Sequence, residues 1–299
     1  MFVIFGASGN AGRLTAATLR RAGETVRAVV RNAQQGERLA KLGCEIALAD
    51  LTDYASVAKA IEGADAVQIL CPVPRTEAQP ADMMRHMIDT AARALRANPP
   101  PRVLALSDYG AELAHDTGIT LLFHHMEEAL KPVASHLTLL RAAEHMQNWA
   151  RVLPAALKTG LLPSLHHPLD KRFASVSAHD VGRLAAALLV DHDPDGERTP
   201  RIVSVEGPRR ISALDVAQTL STLSGREIAA LELPREQWTP MLLRAGLSAN
   251  HAQLITDLYD RHNAGLIDVE TGAGERRFGT TELSEALASI IPRVEAGAH

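Results

Sequence analysis

The chain of 299 residues carries a formal net charge of −4, with 46% hydrophobic and 22% charged residues. That is too apolar for disorder, and long enough for one large α/β unit or a main domain with a smaller lobe. The mildly acidic balance argues against nucleic acid as the main partner, since no basic excess is present to neutralise phosphates. Two cysteines, Cys44 and Cys71, are too few for a disulfide framework or a structural zinc site. No apolar run approaches the roughly 20 residues of a membrane span, and no secretory leader precedes the first strand, so the expectation is a cytoplasmic protein.

The first half alternates strand and helix signals. Phe2–Phe5 is a short continuous apolar run, as for a strand buried on both faces of a parallel sheet. The pattern then predicts a helix from Ala11 to Arg21, a strand at Thr25–Val30, a helix at Gln34–Leu42 and a strand at Glu45–Leu48. It continues as helix Thr52–Ile61, strand Ala66–Leu70, helix Ala81–Ala97, strand Arg102–Leu106, helix Leu121–Leu130 and strand Leu137–Leu140. Such repeats imply an α/β fold with a doubly wound parallel sheet. After Arg151 the regularity fails. Leu153–Arg172 reads as an irregular insertion, and Phe173–Val176 as a short extended piece. Asp180 is a plausible N-cap for a helix running to Val190, and Arg201–Val205 reads as a further strand. From Ser212 onward the chain reads as mostly helical, at Ser212–Ser224, Arg235–Ala245 and Ser248–His262. The expected division is residues 1–152 with 176–205 as the sheet domain, and 153–175 with 206–299 as a smaller, mostly helical lobe.

One motif carries chemistry. Gly6-Ala7-Ser8-Gly9-Asn10-Ala11-Gly12 lies between the first strand and the first helix. Gly6 permits a tight turn, Gly9 lets the backbone approach a pyrophosphate, and Gly12 allows close helix–strand packing. The helix N-terminus then presents amides to the phosphates. At the end of the second strand, where an NAD-selective site carries a carboxylate, stand Arg31 and Asn32. Arg31 suits a ribose 2′-phosphate, and Arg13 is placed to assist it, so NADP(H) is the expected cofactor. Asp50 and Leu51 are placed for the adenine; Cys71, Pro72 and Val73 are placed for the nicotinamide half. No His-Glu-x-x-His or Cys-x-x-Cys spacing occurs, and no metal is expected.

With these residues the sequence resembles the NmrA-like family of atypical short-chain dehydrogenases, which includes quinone oxidoreductases and redox sensors. The resemblance rests on the glycine motif with Arg13, on Arg31, and on Ala49–Asp53, Ser107–Ala111, Leu139–Trp149 and Val176–Gly182. It extends through Gly207, Ile211–Ala217, Gly225-Arg226 and Leu233-Pro234. It implies a Rossmann-type domain binding NADP(H), with a cleft to a smaller C-terminal lobe.

The chain departs from the wider dehydrogenase pattern at the proton donor. That pattern places a lysine four residues after the tyrosine, whereas Tyr109 is followed there by Leu113. Without a nearby cation, the Tyr109 phenol is expected near its ordinary pKa of about 10. A lysine near the start of the next helix, as in the isoflavone reductase-like subset, is also missing; His124 or His125 stands there instead. His124 and Glu128 share a helix face, which would let the carboxylate orient the ring. The catalytic candidates are therefore Tyr109, Ser107 and His124.

Two functions fit. The first is NADPH-dependent hydride transfer to a small electron-poor acceptor, a quinone or conjugated enone, whose product anion needs little help from an acid. The second is a non-turning NADP(H) sensor acting through a protein partner. No membrane partner is expected, and a homodimer is compatible with either.

Overall fold

Strand β1 (Phe2–Ile4) is buried along its whole length and leads through the glycine turn into α1 (Asn10–Arg21). The alternation continues with β2 (Val26–Val30), α2 (Ala33–Lys41), β3 (Glu45–Leu48), α3 (Tyr54–Ile61) and β4 (Ala66–Ile69). Next come α4 (Pro80–Ala97), β5 (Arg102–Asp108), α5 (Thr120–Leu130) and β6 (Leu137–Ala142). Beyond them lie β7 (Glu144–His145), a 3-10 turn at Met146–Arg151, α6 (Leu153–Thr159), β8 (Leu161–Ser164), β9 (Ser175–Val176) and α7 (Ala178–Val190). The rest is β10 (Arg201–Glu206), α8 (Ala213–Ser224), β11 (Ala229–Glu232), α9 (Trp238–Arg244), α10 (Ala249–Asn263), β12 (Glu275–Phe278) and α11 (Leu283–Ala288). The computed structural model describes residues 1–134, 136–191 and 200–291.

Eight strands form one parallel sheet in the order β12-β10-β6-β5-β4-β1-β2-β3. Phe2 and Ile4 face α1 and α7, whereas Val3 and Phe5 face α3 and α4, which is why β1 reads as an unbroken apolar run. The direction of winding reverses between β1 and β4. In open α/β sheets such a reversal leaves a crevice at the carboxyl ends of the strands, where ligands bind.

The second half differs from expectation in identifiable ways. The insertion expected to be irregular opens with α6 and contains β8, which pairs in parallel with β11 as a separate two-stranded sheet. Pro163 is tolerated in β8 because a two-stranded sheet has only edges. Ser177, rather than Asp180, caps α7: its side chain accepts from the His179 amide. Asp180 instead accepts from the Thr281 amide (2.8 Å) and hydroxyl (3.0 Å). The stretch read as helix from Arg235 begins as a 3-10 turn and becomes α9 only at Trp238. Glu275–Phe278, on the lobe side of the expected division, is the edge strand of the main sheet. The lobe has its own core, with Leu153, Leu162, Val216 and Leu287 in one cluster and Trp238, Leu242 and Leu247 in another. Backbone bonds tie it to the sheet domain, from Ser248 to the Arg75 carbonyl (3.0 Å) and from Ile119 to the Leu254 carbonyl (3.1 Å). Among the described residues, no helix is long and apolar enough to cross a membrane.

Candidate active site

At the end of β1, Gly6 takes φ +71°, a conformation that disfavours side chains. Gly12 lies so close beneath that turn that a Cβ there would fall 2.3 Å from the Gly6 carbonyl oxygen. Ala7, Ala11 and Gly12 are buried under the turn, while Ser8, Gly9 and Asn10 are exposed along its rim. Gly9 is the N-cap of α1; no side chain caps the helix and no acidic residue occupies its first turn. The first-turn amides are thus left facing outward with the positive end of the helix dipole, which fits a pyrophosphate.

Arg31 stands exposed at the end of β2, and its own amide donates to Gln35 Oε1 (3.2 Å). Asn32 is committed to capping α2, where Oδ1 accepts from the Gln35 amide (3.0 Å). Neither Arg13 nor Arg31 forms an ion pair among the described residues, and the Arg31 charge acts on the neighbouring Asp50. Asp50 is exposed at the end of β3 and accepts from the Thr52 amide (2.8 Å) and hydroxyl (2.7 Å). Those bonds, with Arg31 nearby, hold its carboxyl below the usual range. Leu51 and Val73 are half-buried and Pro72 is exposed. Cys71 is fully buried, and burial pushes its thiol up to about 12, so it is inert packing at the end of β4.

The three catalytic candidates are placed less freely. The Tyr109 side chain is buried in the core, and its hydroxyl has no hydrogen-bond partner among the described residues. Burial drives its phenol well above the ordinary value, with the Glu206 charge adding in the same direction, so the expectation of a value near 10 does not hold. Ser107 donates its hydroxyl to Glu127 Oε1 (2.6 Å). Glu127 is in turn held by buried Arg141, through Nε (2.9 Å) and Nη2 (2.7 Å), and Arg141 also reaches Glu112 (3.2 Å) and Glu270. His124 does not rely on Glu128, which pairs with Lys131. Its Nδ1 donates to the Ala111 carbonyl (2.8 Å), which leaves Nε2 unengaged in that pairing.

Residues that spacing did not single out gather at the ends of β5 and β6. Glu144 Oε1 accepts from the Tyr259 hydroxyl (2.6 Å) and Oε2 from His166 Nε2 (2.8 Å). Burial alone would raise the Glu144 carboxyl, but the His166 charge and hydrogen bond outweigh it and take it down to about 2. His166 stacks on Phe173 with ring centroids 3.6 Å apart. Burial takes nearby His262 down to about 4, so that ring is neutral near neutral pH. Asp108 accepts from the Thr120 hydroxyl (3.2 Å), yet burial, with Glu144 and Glu112 nearby, raises its carboxyl to about 7. The only early signal was its place one residue before Tyr109 at a strand's carboxyl end.

A cavity of 590 Å³, lined by Asp65, Arg102 and Arg201, opens at the amino ends of the strands. It lies at the opposite end of the sheet from the glycine turn and is not the site. No cluster of His, Cys, Asp or Glu able to hold a metal ion occurs among the described residues.

A glycine turn at the winding reversal, outward first-turn amides and an unpaired arginine at the end of β2 define a dinucleotide-binding α/β protein. The model of the NAD(P)H-binding family matches residues 6–192. The chain belongs to that family, in keeping with its resemblance to NmrA-like atypical short-chain dehydrogenases. It is 23% identical to an NAD(P)H azoreductase of Xenophilus azovorans, over 96% of this chain and 99% of the relative. It is 24% identical to quinone oxidoreductase 2 of Escherichia coli, over 97% and 99% of the two chains. Among solved structures, the NADPH complex of an Escherichia coli NADPH-dependent quinone oxidoreductase superposes with a TM-score of 0.77 at 22% identity, covering 97% of this chain and 100% of that one. The NADP(H) complex of Citrobacter sp. triphenylmethane reductase gives 0.78 at 19% identity, covering 97% and 100%. These superpositions show the fold.

Proposed function

We propose that the protein is an NADPH-dependent oxidoreductase that reduces small, electron-poor conjugated acceptors, quinones foremost. Gly6 to Arg13 hold the pyrophosphate, Arg31 and Arg13 the 2′-phosphate, Asp50 and Leu51 flank the adenine, and Pro72 and Val73 flank the nicotinamide half, with buried Cys71 packing beneath them. Bound NADPH supplies a hydride. The acceptor takes that hydride and one proton, so a quinone leaves as its hydroquinone.

The observation that carries this reading is the state of the proton donors. The Tyr109 hydroxyl is buried with its phenol raised, and the Ser107 hydroxyl is committed to Glu127. Reduction of a simple ketone yields a basic alkoxide that demands a strong positioned acid; reduction of a quinone yields a delocalised anion that does not. Asp108, raised to about 7, holds a proton near neutral pH at the end of β5, and His124 keeps Nε2 unengaged by Ala111. Ser107 serves here to fix Glu127 and Arg141 beneath the site. The names of the two curated relatives, an azoreductase and a quinone oxidoreductase, support the same class of acceptor. A cytoplasmic setting suits the two buried free cysteines.

The test is NADPH oxidation with a panel of quinones, enones, azo dyes and simple ketones. Turnover on quinones with little on ketones is expected. Ketones as the best acceptors would overturn the reading, and tight NADPH binding with no turnover would favour the sensor.

A further inference from the structure

The stretch that leaves β4 is built as a strut. A Cβ added at Gly6 would fall 2.9 Å from Leu70 Cδ2, so the end of β4 abuts the glycine turn. Cys71 is fully buried, Pro72 and Pro74 flank half-buried Val73, and the chain is exposed from Arg75 to Gln79. Two prolines in three residues fix φ and remove two donors, which stiffens the segment without internal bonds. Among the described residues, no backbone hydrogen bond joins residues 71–78 to one another.

The far end of the strut is held from the lobe. The Arg75 carbonyl accepts from the Ser248 amide (3.0 Å), and Arg75 Nη2 donates to the Ala245 carbonyl (3.2 Å). Asn250 Nδ2 donates to the Ala78 carbonyl (2.6 Å) and to Gln79 Oε1 (3.2 Å). All these partners lie at the turn from α9 into α10. His251, next along, is buried beside the Arg75 and Pro74 backbone. The same helix carries Tyr259, whose hydroxyl donates to Glu144 (2.6 Å) beyond the end of β6. At about 1.5 Å per residue, α10 is a stiff spacer of roughly 13 Å between Asn250 and Tyr259. Asn250 is exposed, so its bonds add little to stability; what they set is the position of the strut.

We propose that Asn250 is a positioning residue for hydride transfer. With Ser248 it pins the Pro72–Gln79 segment, so that Pro72 and Val73 hold the nicotinamide ring at a fixed distance from the groups gathered around Glu144. The proposal rests on the placement of the nicotinamide half beside Pro72 and Val73.

The test titrates two ligands into the full-length protein: NADPH, and 2′-phospho-ADP-ribose, which lacks only the nicotinamide ring. Asn250 follows the Ser248 cap, so Asn250→Ala leaves the helix start intact and should keep the fold by circular dichroism. It should bind NADPH about fivefold more weakly, the worth of one neutral hydrogen bond, and 2′-phospho-ADP-ribose as tightly as the wild type. With menadione as acceptor, kcat should fall by a similar factor while the KM for menadione stays. A loss shared equally by both ligands, or no loss for NADPH, would overturn the pin. Val73→Ala separates the pin from the placement it rests on. A selective loss for NADPH in Val73→Ala alone would keep the nicotinamide beside Val73 and reject Asn250. No selective loss in either variant would reject the placement as well. The titrations need no turnover, so a wild type that binds both ligands and never reduces menadione would reject the reductase reading alone.

Discussion

The proposed cofactor end of the cleft is assembled from one contiguous stretch, Gly6 to Arg13, and from strand ends that follow at regular intervals. The proposed acceptor end draws Asp108, Glu144, His166 and Tyr259 from four distant segments. The two ends also treat charge in opposite ways. Among the described residues Arg13 and Arg31 form no ion pair and the start of α1 has no side-chain cap, whereas Arg141 is shared by Glu127, Glu112 and Glu270, and Glu144 by His166 and Tyr259. Free charge at one end suits a polyanionic dinucleotide. Mutually satisfied charge at the other suits a neutral molecule, since breaking a buried pair leaves an uncompensated ion.

The contrast is most sharply tested at Gly9. Its φ of −76° is open to any residue, unlike that of Gly6, and it is exposed. Gly9→Val should therefore fold, by circular dichroism, yet lose NADPH binding by roughly a hundredfold or more, about two charge-assisted hydrogen bonds. Normal NADPH titration of the folded variant would remove the phosphate cradle. Next in size is Arg31→Ala. The wild type should prefer NADPH to NADH by more than about tenfold, and the variant should lose most of that preference. Equal affinities in the wild type would break the contrast at its charged end.

Asp108 probes the other end through pH. Its folded carboxyl, at about 7, lies above an unfolded value of about 3.9, so its contribution to stability is complete below the latter and lost as pH rises toward the former. Asp108→Asn should accordingly raise Tm relative to wild type at about pH 8 and not at about pH 4. If Asp108 is the proton-holding group, kcat falls as pH rises through about 7 in the wild type and flattens in the variant. A descending limb that survives in Asp108→Asn would assign the proton elsewhere. The smallest effect belongs to Tyr109→Phe. Because its hydroxyl is buried without a partner, removal should leave stability equal or higher and alter turnover by less than about threefold. A thousandfold loss would restore Tyr109 as a general acid.

These differences track what was legible in the sequence. The glycine turn and the βα alternation through β6 were readable because each signal is local: a short apolar run, a glycine, an amphipathic stretch. Arg31 was readable because its position follows from the end of β2. Glu144, His166, Tyr259 and His262 carry no shared spacing, and only the docking of the lobe onto the ends of β5 and β6 makes them neighbours. His166 lies in the stretch Leu153–Arg172 that reads as an irregular insertion, and Tyr259 lies within a predicted helix with nothing to mark it. Strands β8 and β12 were missed for local reasons. Pro163 interrupts the first, and Glu275-Arg276-Arg277-Phe278 offers no apolar run because an edge strand exposes much of its length. The N-cap of α7 went to Ser177 because Asp180, three residues on, is held by Thr281.

Strand β12 has a consequence for how the chain is made. It completes the main sheet by pairing with β10, more than seventy residues earlier at each paired position (Val203 with Glu275, Glu206 with Phe278). Gly274, which leads into it, packs so closely that a Cβ would fall 2.0 Å from the Ile202 carbonyl oxygen. A nascent chain that has left the ribosome only as far as the lobe helices therefore holds β10 as an open edge, a ready template for pairing with another chain. Sealing that edge falls to a segment translated after helices α8, α9 and α10.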